Sequence, residues 1–236
     1  MTLDDPDVVA AEYADERGLL GRRAAYEHAE GPDARQLAFD AVAEVAPRRV
    51  LEVGCGPGEL AERISAELDV EVVAVDVSER MVELACARGV DARVGDVQAL
   101  ELPDESFDCA VAAWMLYHVP DVPRALAELA RVLRPGGRLV AVTNDVDHLR
   151  ELLELLGEGP AGGRFGGSDG EELLRASFAT IERRDARGVI RFPDRQAVEG
   201  YVASSRGLIG WGELPDFETP FVVTRSPVVF VAGKAP

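Results

Sequence analysis

Residues 50–60 read VLEVGCGPGEL, an apolar run that breaks into three alternate glycines at Gly54, Gly56 and Gly58. A buried strand that enters such a turn before a helix usually holds the anionic part of a nucleotide on backbone N–H groups. This turn departs from that pattern in three ways. Glu52 precedes it, Pro57 removes one N–H from it, and the spacing is G-x-G-x-G, not G-x-G-x-x-G. Together the departures argue against a phosphate and suit a ligand that is cationic at this point.

Strand and helix patterns alternate after this turn. Strands are predicted at RVLEV (49–53), EVVAVDV (71–77), VDARVG (90–95), SFDCAVAAWML (106–116) and RLVAVTN (138–144). Helices are predicted between them, including SERMVELACARG (78–89), with Ser78 as N-cap and Gly89 just past the end. Such alternation predicts right-handed βαβ crossovers and an α/β fold, a mostly parallel, doubly wound sheet covered on both faces.

The two ends of the chain differ from this central part. Residues 1–45 show helical spacing of apolar residues and are predicted to form an N-terminal helical cap on a single domain of residues 46–236. TIERRDARGVIRF (180–192) predicts one or two strands, and FVVTRSPVVFVAG (221–233) a terminal strand or hairpin. The glycine-rich segment 157–170 is mobile by composition and is either a linker or a substrate gate carrying Arg164 and Phe165.

Composition and charge limit the kinds of molecule that the protein can bind. The chain has 236 residues and a net charge of -18, so its surface repels phosphate backbones and nucleic acid is an unsuitable substrate. The three cysteines lack disulfide or metal spacing, the N-terminus is acidic where a signal peptide is basic, and no run has the length of a membrane span. These features favour a cytoplasmic protein without a metal site or a membrane partner.

Acids follow the later strands of the pattern. Asp76 ends EVVAVDV, where a carboxylate can accept hydrogen bonds from both hydroxyls of a ribose. Asp96, in VGDVQALELPDESFD, stands where it can receive an adenine amino group, with the Val97 backbone N–H available to a ring nitrogen. Adenosine linked to a cationic group, without phosphate, fits both these acids and the glycine turn.

At this point the sequence resembles the class I S-adenosylmethionine-dependent methyltransferases of the small-molecule type. The resemblance rests on VLEVGCGPG, VVAVDVS, GDVQALELPDESFD, and AWMLYHVPD followed by RVLRPGGRLVAV, which cover about residues 45 to 143. It implies a Rossmann-like sheet of seven strands with an antiparallel last strand. It also implies S-adenosyl-L-methionine as cofactor, S-adenosyl-L-homocysteine as product and a small-molecule substrate. A cofactor site of this kind is complete within one chain, so a monomer or a homodimer is expected.

Site residues are assigned from the motifs and the resemblance. Cofactor contacts are expected at Glu52, Gly54, Cys55, Gly56, Gly58, Asp76, Val77, Asp96, Val97, Trp114 and Tyr13. Substrate contacts are expected at Tyr117, His118, Asn144, Tyr26 and Arg23. His118 is the candidate general base, although it can also line the pocket without proton transfer. Cys55 is expected to be steric and not reactive, and His28 and His148 to be surface or helix-end residues.

The sequence leaves alternatives open for several residues and for the function. Trp114 and Tyr117 either pack on a ligand or fill the core, and the helix of Tyr13, Arg23 and Tyr26 is either a lid or an amphipathic helix packed on the sheet. Two other functions compete with methyl transfer: an NAD(P)-dependent oxidoreductase on a related fold, and a non-catalytic S-adenosylmethionine-binding protein. Pro57 and Asp96 argue against the oxidoreductase.

Overall fold

The computed structural model describes residues 5–13, 17–159, 164–205 and 214–236. The helices are α1 (Pro6–Glu12), α2 (Arg17–Ala25), α3 (Ala34–Ala43), α4 (Glu59–Leu68), α5 (Glu79–Ala87), α6 (Val122–Val132), α7 (Arg150–Leu155), α8 (Gly170–Arg175) and α9 (Arg195–Ser204). The strands are β1 (Ala29–Glu30), β2 (Arg49–Val53), β3 (Glu71–Asp76), β4 (Asp91–Val94), β5 (Phe107–Ala113), β6 (Leu133–Asn144), β7 (Thr180–Asp185), β8 (Gly188–Phe192), β9 (Phe221–Arg225) and β10 (Pro227–Gly233). Short 3₁₀ turns occupy Tyr26–His28 and Leu116–His118.

The main sheet has seven strands in the order β4-β3-β2-β5-β6-β10-β7. Neighbouring strands from β4 to β6 pair in parallel, whereas β10 pairs antiparallel with both β6 and β7. The predicted seven-stranded sheet with an antiparallel last strand is therefore confirmed. Strand order reverses between β2 and β5, so the carboxyl ends of these two strands form the crevice in which open α/β sheets bind ligands.

Helices cover both faces of this sheet, as the alternating pattern predicts. α3, α4 and α5 bury residues such as Phe39, Ile64 and Ala85 on one face. α6 buries Leu126 and Leu129 on the other, and both side chains are fully inaccessible to solvent. Full burial of a leucine contributes about 1.5–3 kcal/mol. The two helical layers hold the strand ends at fixed positions.

A second sheet, which the sequence does not predict, lies beside the main one. It has three antiparallel strands in the order β1-β8-β9, and its core is shared with α2, α7 and α9. The chain leaves the main sheet between β7 and β8 and returns between β9 and β10. FVVTRSPVVFVAG is therefore two strands in different sheets, and not a hairpin.

The N-terminal cap is shorter in the structure than the predicted range 1–45. α2 and β1 lie with the small sheet and α9, and β1 ends at residue 30. α1 is joined to α2 by the ion pair of Glu12 with Arg22. α3 instead packs on the main sheet, because Ala38, Phe39 and Val42 are buried against its strands. The helix before β2 thus belongs to the main domain.

The described part of the segment 157–170 is tied to the main sheet. The Thr143 hydroxyl donates to the Phe165 carbonyl at 2.7 Å, and Gly167 N donates to the Asn144 carbonyl at 3.1 Å. Phe165, which the sequence places on a mobile segment, is a fully buried core residue in edge contact with Phe230. Residues 160–163 lie outside the described residues, and the gate stays a prediction.

Candidate functional site

The glycine turn joins β2 to α4 at the crevice. Gly54, Gly56 and Gly58 all have positive φ values, 61°, 53° and 79°. A Cβ on Gly54 would lie 2.6 Å from Met115 and one on Gly58 would lie 2.7 Å from Ala85. A Cβ on Gly56 would meet nothing within 4 Å and would point into open space. Gly54 and Gly58 are thus required by packing, whereas Gly56 leaves room for a ligand to approach the backbone.

Glu52 is a buried acid beneath this turn. Its side chain is 3% exposed, and its Oε2 has no hydrogen-bond partner in the described part of the chain. Burial raises the pKa of Glu52 from 4.5 to about 8, and the nearby Asp76 carboxylate adds to the increase, while a hydrogen bond from the Ala61 backbone opposes it. A carboxyl with an unfilled acceptor at this place suits a ligand that brings an N–H donor and a positive charge.

Asp76 is held at the end of β3 by backbone donors. Its Oδ2 accepts from Gly56 N at 2.8 Å, and its Oδ1 accepts from Ser78 N at 2.9 Å. Burial raises the pKa of Asp76, and these N–H groups oppose the rise. A carboxylate has about four acceptor positions. Acceptor capacity therefore remains on Asp76, and its use by the hydroxyl groups of a ribose stays a prediction.

The expected adenine side follows β4. Asp96 is exposed, and its Oδ1 accepts from Gln98 N at 2.8 Å, which fixes the carboxylate at the rim. Val97 is buried, while the apolar Val77 is 59% exposed beside the same crevice. An exposed valine facing a crevice offers a contact surface to a flat apolar ring.

These residues border one cavity of about 1720 Å³. Of the predicted site residues, all except Gly58 line it. Gly58 is instead the N-cap residue of α4 and packs against Ala85, which gives it a packing role, and a cofactor contact at Gly58 stays a prediction. Small-molecule sites usually measure about 300–1,000 Å³. The cavity has room for two ligands side by side.

Tyr13 and His118 meet across this cavity. The Tyr13 hydroxyl lies 3.0 Å from His118 Nε2, and the Tyr13 carbonyl accepts from the Ser78 hydroxyl at 3.0 Å. The rings of Tyr117 and His118 make an edge contact with centroids 4.4 Å apart. Burial raises the pKa of Tyr13. The cap residue Tyr13 therefore reaches both the candidate base and α5, the helix that follows β3.

Three other predicted residues have protein partners. Trp114 Nε1 donates to Asn144 Oδ1 at 3.2 Å, and the Arg35 guanidinium lies 5.7 Å from the Trp114 ring centre. Arg23 pairs with Glu59 at the start of α4. Burial lowers the pKa of Arg23 to about 10, helped by the neighbouring charges of Arg35 and Arg88. Arg23 and Asn144 therefore shape the wall of the cavity, and their direct contact with substrate stays a prediction.

Cys55 is buried under the turn, and burial raises the pKa of its thiol further above its ordinary value. A thiol that stays protonated is a poor nucleophile. This agrees with the expected steric role.

The structure corrects the expectation that His148 is a surface or helix-end residue. It follows β6, is 5% exposed, lines the cavity and accepts a hydrogen bond from Ser226 N on Nδ1 at 3.2 Å. Burial lowers the pKa of His148 from 6.5 to about 4. Its position four residues after Asn144, at the carboxyl end of a strand, is the signal that sequence reasoning missed.

Tyr201 and Arg225 also line the cavity without having been predicted. Tyr201 comes from α9 and Arg225 from β9, and each is 5% exposed. A single arginine inside the apolar run FVVTRSPVVFVAG is a detectable signal, whereas Tyr201 sits in an ordinary amphipathic helix. Residues 206–211 of the neighbouring segment lie outside the described residues.

In the described ranges, no group of three or more His, Cys, Asp or Glu side chains is placed to hold a metal ion. Searching the same part of the chain finds no helix with the length and apolarity that crossing a membrane requires.

Comparison with known proteins assigns the chain to a family of methyltransferases. The sequence profile described as "Methyltransferase domain" matches residues 51–141. Demethylmenaquinone methyltransferase of Renibacterium salmoninarum is 31% identical over 191 residues, which is 76% of this chain and 73% of that enzyme.

Two further similar proteins are also described as methyltransferases. The 27-O-demethylrifamycin SV methyltransferase of Amycolatopsis mediterranei is 44% identical over 99 residues, 39% of this chain, and the match spans only 36% of that enzyme's length. A Thermotoga maritima crystal structure, described as an S-adenosylmethionine-dependent methyltransferase and possible histamine N-methyltransferase, superposes with a TM-score of 0.57. It has 25% identity and covers 93% of this chain and 94% of its own.

Proposed function

The chain belongs to the class I S-adenosylmethionine-dependent methyltransferases, and from that premise we propose that it methylates a small molecule bound beside the cofactor in the same cavity. The main support for the proposal is that the glycine turn, Asp76 and the cap residues border one cavity. A cavity of about 1720 Å³ joins the glycine turn and Asp76 to aromatic residues of the cap, with room for a donor and an acceptor together.

The residues at the carboxyl ends of β2 to β4 fit the donor. Glu52 has an unfilled, buried acceptor oxygen for the ammonium group, Asp76 keeps acceptor positions for the ribose, and Gly56 lets the ligand approach the backbone. When bound, S-adenosylmethionine supplies a methyl group that is already activated by the adjacent sulfonium. Orientation of the two reactants and exclusion of water are then the main tasks of the protein.

The cap residues supply the remaining functions. Tyr13 closes over the crevice by bonding to Ser78 and His118, and Tyr117 packs against His118. Where the acceptor atom carries a proton, we assign its removal to His118. The Tyr13 hydroxyl, hydrogen-bonded to His118 Nε2 at 3.0 Å, holds the imidazole in place.

The competing functions predict different ligands. A dinucleotide would bring its pyrophosphate to a turn that lacks the N–H of Pro57 and lies over the Glu52 carboxyl, and both features oppose it. A binding protein without transfer would keep cofactor affinity and show no turnover.

A titration with three ligands tests the proposal. S-adenosylmethionine, S-adenosylhomocysteine and NAD are each added in a thermal-unfolding measurement, and a ligand at 100 times its Kd stabilises the folded state by about 2.7 kcal/mol. We expect stabilisation by the first two and none by NAD. Transfer of tritium from labelled S-adenosylmethionine to small-molecule extracts then tests turnover. Stabilisation by NAD alone would overturn the proposal, and binding without transfer to any extract would favour the non-catalytic function.

We also infer a reducing, cytoplasmic location and a monomer or homodimer. All three cysteines are free. Fractionation of cells and light scattering of the purified protein test these two inferences.

A further inference from the structure

All four tyrosines of the chain line the same cavity. Three of them, Tyr26, Tyr117 and Tyr201, line it together with His148 and Arg225. Tyr26, Tyr201 and Arg225 come from the small sheet and the elements next to it, and His148 accepts a hydrogen bond from Ser226 N, beside Arg225. We call this set of five residues the acceptor compartment. Burial raises the pKa of Tyr117 well above its usual range, and the ionised forms of Tyr13, Tyr26 and Tyr201 would add to the rise.

Arg225 is the unusual member of the acceptor compartment. It is 5% exposed, and its Nε has no hydrogen-bond partner in the described residues. The one hydrogen bond that its guanidinium makes to the described chain runs from Nη2 to the Pro32 carbonyl at 2.5 Å. A buried cation without a compensating charge costs several kcal/mol. One neutral carbonyl does not offset that cost.

The lack of a partner does not reflect a shortage of acids. The chain carries 43 acidic and 25 basic residues, and even exposed arginines such as Arg191 are ion-paired. Two acids on the chain segments that contact β9 are engaged elsewhere. Asp147 pairs with Arg187, and Glu151 accepts from the Thr224 hydroxyl at 2.8 Å and from its backbone N–H. The charge of Arg225 is therefore left for something that enters the cavity.

His148 presents a second donor to the same space. The Ser226 N–H can only donate, so His148 Nδ1 must accept and the proton of the neutral ring sits on Nε2. The pKa of His148, lowered to about 4 by burial and by the charge of Arg225, keeps this ring neutral near pH 7. No described residue accepts a hydrogen bond from Nε2. Two donors, one of them charged, thus face a compartment walled by tyrosines.

Resting on the methyltransferase function above, we propose that the methyl acceptor is a flat molecule with an anionic group, a carboxylate in the simplest case, which binds to Arg225 and His148. The guanidinium matches the geometry of a carboxylate and binds it with charge-assisted hydrogen bonds. Tyr26, Tyr117 and Tyr201 pack on the body of the acceptor.

Binding of a simple aromatic carboxylate tests this assignment. The full chain is saturated with S-adenosylhomocysteine and titrated by calorimetry with benzoate or with benzamide, its neutral analogue. We expect benzoate to bind and benzamide to bind at least about tenfold more weakly, since hydrogen bonds to a charged group contribute about 1.5–3 kcal/mol.

Three variants locate the charge. Arg225→Met, which replaces a buried ion by an apolar side chain of similar length, should fold and lose at least about tenfold in benzoate affinity. Arg225→Lys should restore part of it. Arg191→Gln, a matched change at a 48% exposed arginine of β8, should bind benzoate as the unaltered protein does.

Each other outcome overturns the inference. Equal binding of benzamide, undiminished benzoate affinity in Arg225→Met, or no benzoate binding by the unaltered protein would remove the anionic acceptor. A drop in S-adenosylhomocysteine affinity in Arg225→Met would assign the guanidinium to the carboxylate of the cofactor. Failure of the unaltered protein to bind S-adenosylhomocysteine would instead refute the proposed function, so the two failures are distinguishable.

Discussion

Replacing Glu52 by glutamine should stabilise the ligand-free protein, and increasingly so as the pH rises. In the unfolded chain the carboxyl ionises near 4.5, whereas in the folded chain burial raises its pKa to about 8. Between these values the folded state binds more protons than the unfolded state, so the stability of the unaltered protein falls as pH increases. A shift of this size corresponds to about 5 kcal/mol at pH 8 and above, and to about 3 kcal/mol at pH 7.

Urea unfolding of the unaltered protein and of Glu52→Gln at pH 5, 7 and 8.5 measures this difference. Glutamine has the shape of the protonated acid, so the two proteins should be nearly equal in stability at pH 5 and diverge above it. Glu101→Gln, at an exposed position, is the matched control and should show no such divergence. A stability difference between Glu52→Gln and the unaltered protein that stays constant from pH 5 to 8.5 would refute the assignment of a buried, protonated Glu52.

The same variant separates stability from binding. If the ligand's ammonium group approaches Glu52, binding of S-adenosylhomocysteine at pH 7 drives the carboxyl to ionise and releases a proton. Calorimetry in buffers of different ionisation enthalpy detects this release, and it should vanish in Glu52→Gln together with part of the affinity.

Asp76→Asn should weaken S-adenosylhomocysteine binding at least about tenfold, because the ribose hydroxyls lose a charged acceptor; an unchanged Kd would remove Asp76 from the ribose site. His118→Ala should lower kcat more than it weakens cofactor binding. Tyr13→Phe, which deletes the hydroxyl next to His118 Nε2, should also lower kcat more than it weakens cofactor binding. Equal losses of kcat and of cofactor affinity would show that the two residues only line the cavity. Gly56→Ala should weaken cofactor binding far more than Gly89→Ala. Both glycines have positive φ, 53° and 86°, and an added Cβ at either would meet no atom within 4 Å. The two alanine variants therefore carry a similar backbone strain of about 1–2 kcal/mol, but of the two glycines only Gly56 lines the cavity. Similar cofactor affinities of the two variants would show that no ligand approaches Gly56.

The main sheet could be predicted because its signals are local. The apolar run before Gly54 and the alternation of strands with capped helices are read within a few residues, and Ser78 caps α5 as predicted, with its hydroxyl accepting from Met81 N at 3.3 Å. Most cofactor-side residues follow from the same logic, since they lie at or directly after the carboxyl end of a strand whose place in the sheet is known, whereas Tyr13 comes from the cap.

Only part of the acceptor side could be predicted: Tyr26 and Tyr117 are expected from the sequence as substrate contacts, whereas the rest depends on contacts between distant segments. β1 has only two residues, and it pairs with residues 189 and 190. Tyr201 and Arg225 reach the cavity from the small sheet and the helix packed on it, and His148 is held there by its hydrogen bond from Ser226 N. The burial of His148 likewise comes from elements that lie far apart in sequence, so its position after β6 signals that it lies near the strand ends but not that it is buried.

The small sheet has a consequence for synthesis of the protein. Residues 29 and 30 leave the ribosome early, yet β8 and β9, which complete their sheet, end at residues 192 and 225. Strands β2 to β6 are all translated by residue 144, so the nascent chain assembles its central layer first. The small sheet is therefore completed after the parallel strands of the main sheet, and a message truncated before residue 221 encodes a chain that lacks β9 and Arg225.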